Sequence, residues 1–393
     1  MKAETRKALH VFTIFSTSCF FDGQFAYLSE KGYQIHMISN SDPSGREDAF
    51  IKRNNVRFYS VPLSRRIRPL EDLRSVIKVI KYIKSNKIEA VFGHTPKGAL
   101  VAMAAGFLAG LKIRVYYRHG LIYTTAKGIK KHLLKLEEQF VSLLSTNIVN
   151  VSPSVNSLAI NDHLNSERKQ IVFGKGTCGG IDALNRFNPS RIDNDKITQF
   201  REQYHISDSD LVFGFVGRLC RDKGISELLE GFRLFKKSHA HDGSKLLLVG
   251  RFDSRDSLPA STIDALKSDP DIILAGVVDA AEMPYYYSLM DVFVFPSYRE
   301  GFGMSTLEAS AMQVPILVSR SHGCVDSIIE NETGYYIDID PASIAEGMTK
   351  MCNKATRDTL GAFGRKMVVE SFERTQMWPL ILDYYDRLWA KAY

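Results

Sequence analysis

The 393 residues hold five scattered cysteines (Cys19, Cys178, Cys220, Cys324, Cys352), with no CxxC pair and no zinc-ligand spacing. That argues against a disulfide scaffold or a structural zinc site and suits a reducing cytosol. Long hydrophobic runs are missing too. The longest, "GALVAMAAGFLAGL" at 98–111, has 14 residues, short of the about 20 that a bilayer-spanning helix needs. Its small residues predict a helix packed tightly inside a domain. The start, "MKAETRKALHVFTIF", has no small-residue cleavage site, so the expectation is a protein without a signal peptide. No GxGxxG follows a first strand, which disfavours a dinucleotide-binding dehydrogenase, and "GKGT" at 174–177 lacks the order of a phosphate loop. The acidic triplets at 208–210 and 338–340 read as turn chemistry, not as a metal-binding DxD. No metal and no cofactor are expected.

Acidic residues are nearly absent from 60–135, which has 16 Lys or Arg against 3 Asp or Glu. That segment carries +13 in a chain of net +7, leaving −6 elsewhere. Solvated helix faces account for part of it: "LEDLRSVIKVIKYIKSNK" (70–87) places Leu73, Val76, Ile77, Ile80 and Ile83 on one stripe, lysines opposite. A one-sided excess of this size also points to an anionic partner. With no nucleic-acid motif present, the expected partners are an anionic membrane surface or a diphosphate-bearing substrate.

The pattern that is present alternates short apolar runs with helix-length segments. In the first half, strands are predicted at 8–15, 33–39, 56–63, 88–94, 113–120 and 146–152. Helices are predicted at 20–32, 70–87, 98–110 and 128–145, with "NSDPSG" (40–45) as a turn. A Gly-, Asn- and Pro-rich stretch, 174–190, interrupts the rhythm and reads as a linker. The alternation restarts with strands at 211–219, 244–250, 271–278, 292–297, 314–320 and 334–338, and helices at 224–238, 260–268, 283–291 and 305–312. The tail, 371–393, reads as helix. The expected fold class is α/β, two doubly wound Rossmann-like domains facing each other across a cleft. The boundaries are 1–180 for an N-terminal domain, with 375–393 packing back onto it, and 181–374 for a C-terminal domain.

Two motifs carry the chemistry. In "MDVFVFPSYREGFGMSTLEASAM" (290–312), Pro296 ends a buried strand and Gly301 and Gly303 open the backbone before a helix. Ser305 and Glu308 fit a capping box, which alone would explain Glu308, and Glu300 could be a solvated loop charge. Neither explains the glycines. A glycine-flanked helix start offers free N–H groups to a phosphate, and neighbouring carboxylates suit sugar hydroxyls. In "FVGRLCRDKG" (215–224), Arg218 follows a strand and Lys223 precedes a helix, a guanidinium and an ammonium placed to converge on a diphosphate.

Together, "GRLCRDKG" and "PSYREGFGMSTLEASAM" resemble the donor site of the retaining glycosyltransferases of family 4, in the GT-B group. "GTCGGID…RFNP" (176–189), "MDVFVFPS", "VSRSHGCVDSIIENETGYY" (318–336) and the tail are similar to the same family. The resemblance implies that Arg218 and Lys223 neutralise a donor diphosphate. Glu300 would bind the transferred sugar near its reacting carbon, Glu308 would bind the ribose, and the amides from Phe302 to Ser305 would cradle sugar and phosphate. Gly217, Gly250, Val277, Gly301, Gly303 and Met304 complete the implied substrate-binding set. His119 of "YYRHG" matches a histidine facing the donor sugar, and with Glu300, Arg218 and Lys223 forms the implied catalytic set. One departure concerns the acceptor side: "FSTSCFFDGQF" (15–25) has a single Gly23 where relatives carry a glycine pair.

The expected function is metal-independent, retaining sugar transfer from a nucleoside-diphosphate donor, a UDP-sugar by family frequency. The expected acceptor is a glycan or lipid-linked sugar in capsule, O-antigen or other surface-polysaccharide assembly, at the cytoplasmic face of a membrane. A UDP-sugar 2-epimerase or another GT-B enzyme is the alternative. An epimerase would need acid/base carboxylates in an N-domain where acids are scarce, and a phosphorylase would need a second anion pocket. A non-catalytic sugar-nucleotide-binding protein is argued against by the intact Arg218, Lys223, Glu300 and Glu308.

Overall fold

The computed structural model describes residues 5–42, 45–64, 68–238 and 243–393. Pro43 and Ser44 of the expected "NSDPSG" turn, and Arg65 and Arg66 of the basic segment, lie outside the described residues. The chain divides into two compact units, Met1–Gly180 with Thr375–Tyr393, and Ile181–Arg374.

The N-terminal unit runs β1 (Arg6–Val11), α1 (Gln24–Glu30), β2 (Tyr33–Ser39), α2 (Arg46–Asn54), β3 (Arg57–Ser60) and α3 (Pro69–Asn86). It continues β4 (Ala90–His94), α4 (Pro96–Leu108), β5 (Ile113–Arg118), α5 (Gly128–Leu144), β6 (Asn147–Asn150), α6 (Pro153–Asn161) and β7 (Gln170–Ile171). The sheet order is β3-β2-β1-β4-β5-β6-β7, and the pairing is parallel throughout. The apolar runs form strands because both faces are covered, as in β4, where every residue is buried. Helix α4 packs closely through its small residues: a Cβ on Gly106 would come within 2.6 Å of Val91 Cγ1.

Three expectations need correction here. The buried line of α3 is Ser75, Val79 and Ile83, whereas Leu73 and Ile77 of the expected stripe are 56% and 43% exposed. The segment 20–32 is not one helix: a 3-10 turn at Phe15–Phe21 precedes α1, because Gly23 with φ +81 breaks the chain direction between them. The stretch 174–190 is irregular, as a linker should be, yet it is not loose, since Thr177, Cys178, Ile181, Ala183 and Phe187 are buried.

The C-terminal unit holds α7 (Asn194–Gln203), β8 (Leu211–Val216), α8 (Ile225–Ser238), β9 (Ser244–Val249), α9 (Ala260–Ser268), β10 (Ile272–Gly276) and α10 (Met283–Ser288). Then come β11 (Val292–Phe295), α11 (Met304–Ala311), β12 (Ile316–Ser319), β13 (Gly334–Ile337), α12 (Pro341–Lys350) and α13 (Lys354–Ser371). Its parallel sheet has the order β10-β9-β8-β11-β12-β13. Phe215, Phe293 and Phe295 stack at its centre. The last helix, α14 (Arg374–Ala392), belongs to the N-terminal unit from Thr375 on. It buries Met377, Ile381, Tyr384, Tyr385, Leu388 and Trp389, and Trp378 Nε1 donates to the Gly179 carbonyl at 2.9 Å. The two acidic triplets do turn work: Asp340 caps α12 through the Ser343 amide, and Asp210 accepts from the Ser207 amide.

Candidate functional site

In an open parallel sheet, ligands bind outside the carboxyl ends of the strands, where the order reverses. In the C-terminal unit that point lies between β8 and β11. The loop after β8 carries Gly217, Arg218 and Lys223, and the loop after β11 carries Glu300 and leads into α11. The two loops are laced together. Lys223 Nζ pairs with Glu300 Oε1, which also accepts from Ser297 Oγ at 2.9 Å. Arg299 pairs with Asp222 at 2.7 Å, and the Tyr298 amide donates to the Asp222 carbonyl at 2.9 Å. The approach requires Gly224, since a Cβ there would overlap the Pro296 carbonyl oxygen.

Arg218, expected to act with Lys223 on a diphosphate, takes a different carboxylate from the Glu300 that Lys223 holds. It pairs with Asp253, in the loop after β9, and Asp253 is buried. The Arg255 amide, then the Arg218 guanidinium, hold the Asp253 carboxyl below its usual range. Each of the two cations therefore sits against one carboxylate. Gly250 ends β9 hard against the Gly217 carbonyl, with room for no Cβ, and Val277 follows β10 with 73% exposure. Among the residues expected to bind substrate, these two supply strand-end backbone.

The capping box is not formed. Gly303, with φ +77, is the N-cap of α11, and no side chain caps it; the Thr306 amide turns back to the Gly303 carbonyl at 2.9 Å. Phe302 is buried, and Gly301, Met304 and Ser305 lie around the helix start with part of their surface open. Glu308 is held instead by Tyr287 of α10, whose hydroxyl donates to Oε2 at 2.7 Å. Burial pushes the Glu308 carboxyl up, against the lowering effect of Tyr287 and the charge of Arg186.

In the N-terminal unit the strand order reverses between β1 and β4. Thr13 and Thr95 pair across this point at 2.5 Å, and Thr95, a β-branched residue, has φ +63. His119 follows β5, two strands along from β1, and its Nε2 lies 3.1 Å from His94 Nδ1. Burial lowers the His119 pKa to about 4. Arg118, fully buried beside it, anchors the strand end through Glu138, Ser142, Asn150, Asn165 and Gln170.

The family model described as "Glycosyl transferases group 1" matches residues 196–367, and the one described as "Glycosyl transferase 4-like" matches 9–150. The chain is 31% identical to the capsular polysaccharide biosynthesis glycosyltransferase CapM of Staphylococcus aureus, over 98% of this chain and 97% of that protein. The chain belongs to glycosyltransferase family 4. It is also 24% identical to the UDP-Gal:alpha-D-GlcNAc-diphosphoundecaprenol alpha-1,3-galactosyltransferase of Escherichia coli, covering 92% of this chain and 91% of that one. The structure of HepE from Anabaena in complex with UDP and glucose superposes with a TM-score of 0.79 at 15% identity, over 97% of this chain and all of that one. That likeness establishes the GT-B fold.

For this glycosyltransferase, sequence reasoning missed the residues that hold the expected ones. Asp253 sits in "GRFDSRD", three residues past a strand-ending glycine, the position from which it could have been found. Tyr287 stands in a run of three tyrosines that reads as core. His10 lies one residue before the end of β1 and His94 ends β4, as His119 follows β5, a signal visible only once the three strands are known to be neighbours.

Proposed function

We propose that this glycosyltransferase moves a sugar, with retention of configuration and without a metal, from a UDP-sugar to a lipid-diphosphate-linked sugar in the assembly of a surface polysaccharide. The observation that carries the donor half is the laced junction of the β8 and β11 loops. It offers Arg218, Lys223 and the uncapped start of α11 to a diphosphate, with Glu300 for the sugar and Glu308 for the ribose. Amides cradling the phosphates run from Phe302 to Ser305. In the N-terminal unit His119 is the substrate-contacting residue. The acceptor half draws on the relatives, whose names specify capsular polysaccharide and a diphosphoundecaprenol-linked acceptor.

In the reaction, the bond from the anomeric carbon to the β-phosphate oxygen breaks, and the acceptor oxygen bonds to that carbon on the same face. The acceptor proton passes to the departing phosphate. Arg218, Lys223 and the α11 dipole stabilise the charge growing on the leaving diphosphate, the task a divalent cation performs in other designs. The pairing of Lys223 with Glu300 gives a specific expectation: Glu300→Gln releases the ammonium, so nucleoside-diphosphate affinity holds or rises while transfer falls on the order of 100-fold.

The second substrate implies a membrane, and α5 has the surface for one. Ile129, Leu133, Leu136, Phe140 and Leu143 repeat at helical spacing and are 49–79% exposed, flanked by Lys127, Lys130 and Lys131. An apolar stripe edged with lysines suits an anionic leaflet. Among the described residues no helix is long and apolar enough to cross a membrane. The nucleotide-sugar donor places the work at the cytoplasmic face.

A thermal-shift screen against UDP, GDP, ADP and TDP and their sugars, with and without chelator, tests the donor reading. A ligand at 100 times its Kd adds about 2.7 kcal/mol of stability. A rise with UDP and UDP-sugars that chelator leaves intact, lost in Arg218→Ala, is the expected result. A rise that needs metal, or an equal rise in Arg218→Ala, contradicts it.

A further inference from the structure

Tyr385 on α14, His10 on β1, His94 on β4 and His119 after β5 form one continuous hydrogen-bonded line within the N-terminal unit. The Tyr385 hydroxyl lies 3.0 Å from His10 Nε2, His10 Nδ1 lies 2.9 Å from His94 Nε2, and His94 Nδ1 lies 3.1 Å from His119 Nε2. Tyr385, His10 and His94 are fully buried. Aromatic rings sheathe them: Phe92 stacks on His10 at 4.7 Å, Phe12 on His94 at 4.2 Å, and Phe21 meets both His94 and His119 edge-on. Among the described residues no carboxylate hydrogen-bonds to any of the three imidazoles, and burial lowers all three, His10 to about 3. The line is neutral.

A neutral imidazole has one N–H and one bare nitrogen. The line can therefore carry its protons in only two ways, all directed toward His119 or all directed toward Tyr385. The ends decide. The Tyr385 hydroxyl also hydrogen-bonds with the Tyr117 hydroxyl, but a phenol O–H is a far stronger acid than a neutral imidazole N–H and an imidazole nitrogen is a better acceptor than a phenol oxygen, so Tyr385 donates to His10 and accepts from Tyr117. His10 must then donate through Nδ1 to His94, and His94 through Nδ1 to His119. Each bond polarises the next. His119 is left with a bare Nε2 facing inward and its proton on Nδ1, an atom with no partner among the described residues.

We propose that Tyr385, His10 and His94 are positioning residues that fix His119 as its Nδ1–H tautomer, so that it offers substrate a hydrogen-bond donor. The matching substrate atom is a sugar hydroxyl or carbonyl oxygen. This rests on the reading of His119 as a substrate-contacting residue, but the direction of the line can be measured without any substrate. It also assigns the C-terminal helix a role beyond packing, since the group that sets the direction is on α14.

The test is long-range proton–nitrogen correlation NMR on the full chain labelled with 15N-histidine. The expected spectrum shows His10, His94 and His119 each protonated at Nδ1. An Nε2-protonated His119 overturns the proposal, with no variant required. Tyr385→Phe keeps the ring and removes only the donor. Its His119 is expected to show a mixed or reversed tautomer, and kcat to fall about tenfold, the worth of one buried neutral hydrogen bond, with the donor KM unchanged. Unchanged tautomer and kcat in a folded Tyr385→Phe would overturn it. Full transfer by His119→Ala would remove the substrate role of His119 itself, while the tautomer of the unaltered protein would still decide the direction of the line.

Discussion

The side chain of Glu308 shows how the donor site depends on a single partner. In the role proposed for it, its carboxylate accepts from ribose hydroxyls best when ionised, yet burial already raises its pKa. The Tyr287 hydroxyl opposes that rise. Tyr287→Phe removes the opposition and sends the pKa further up. Protonated Glu308 is a weaker acceptor, with one oxygen turned donor, so UDP affinity in this variant is expected to drop more steeply than in the unaltered protein as pH falls from 8 to 6. The loss of one such bond is worth about 1 kcal/mol, roughly fivefold in Kd. Calorimetric titration of UDP at both pH values checks it, and parallel pH profiles in the two proteins would refute the role given to Tyr287. Gly224 makes a different single-residue point. It sits at φ +66 with the Pro296 carbonyl where a Cβ would go. Gly224→Ala is expected to force the β8 and β11 loops apart and to cost UDP affinity as well as stability, on the order of 1–3 kcal/mol by denaturant titration.

At the scale of elements, α5 is where local pattern and tertiary role part company. Its buried side is Glu138, Val141 and Ser142, and its apolar stripe faces out. Membrane binding through lysines alone would vanish in high salt, whereas inserted leucines would not respond to it. Leu133→Glu with Leu136→Glu is expected to abolish the salt-resistant part of binding to anionic vesicles, since each leucine inserted is worth about 1.5–3 kcal/mol. Flotation at low and high salt reads this, and salt-resistant binding by the double variant would sink the insertion. The same helix shows what sequence pattern can convey. Apolar β-branched and aromatic runs such as "YQIHMIS" mark a strand with both faces covered, and the strand expected at 33–39 has those bounds. Helices α2 and α7 escaped because their sequences, "REDAFIKRN" and "NDKITQFREQ", are too polar to show an apolar face. Of the α3 stripe, Val76, Ile80 and Ile83 pack on the core as expected, while Leu73 and Ile77 are exposed, because hydrophobic spacing cannot tell a core-facing residue from one at the edge of the face. At the proposed donor site the motif residues stood out in the sequence, since glycines and charges at strand ends carry their own chemistry, and the fold places them at the ends of β8 and β11. Their partners were not: Asp253 for Arg218 and Tyr287 for Glu308 come from other strands and helices, and only the fold brings them near.

Across the whole molecule, the buried histidines concentrate a pH liability in one unit. His10, His36, His94 and His119 all lie in the N-terminal unit, with pKa values pushed down by burial, to about 3 for His10 and about 4 for His36 and His119. In the unfolded chain each titrates near 6.5. The unfolded state therefore binds more protons than the folded one between about pH 6.5 and the depressed values, and stability rises with pH across that window. Each such group contributes a slope approaching about 1.4 kcal/mol per pH unit at the acid side of the window. Glu137 and Glu138, whose pKa values burial raises, work in the opposite direction from about pH 4.5 upward, and so offset part of the histidine slope. In the C-terminal unit Asp253 and Asp271 are held below the usual carboxylate range, so their stabilisation is lost only as pH falls through still lower values. Between pH 6.5 and 5 the N-terminal unit is expected to lose stability first. Hydrogen exchange followed by mass spectrometry at pH 6.5 and 5, corrected for the intrinsic rate, should show protection falling in peptides from β1, β2, β4 and β5. Peptides from β8, β9 and β11 should hold theirs. His94→Gln, which removes one titrating group from the line, is expected to flatten the dependence even if it lowers stability overall. An equal loss of protection in both units would mean that the histidines are not what acid acts upon.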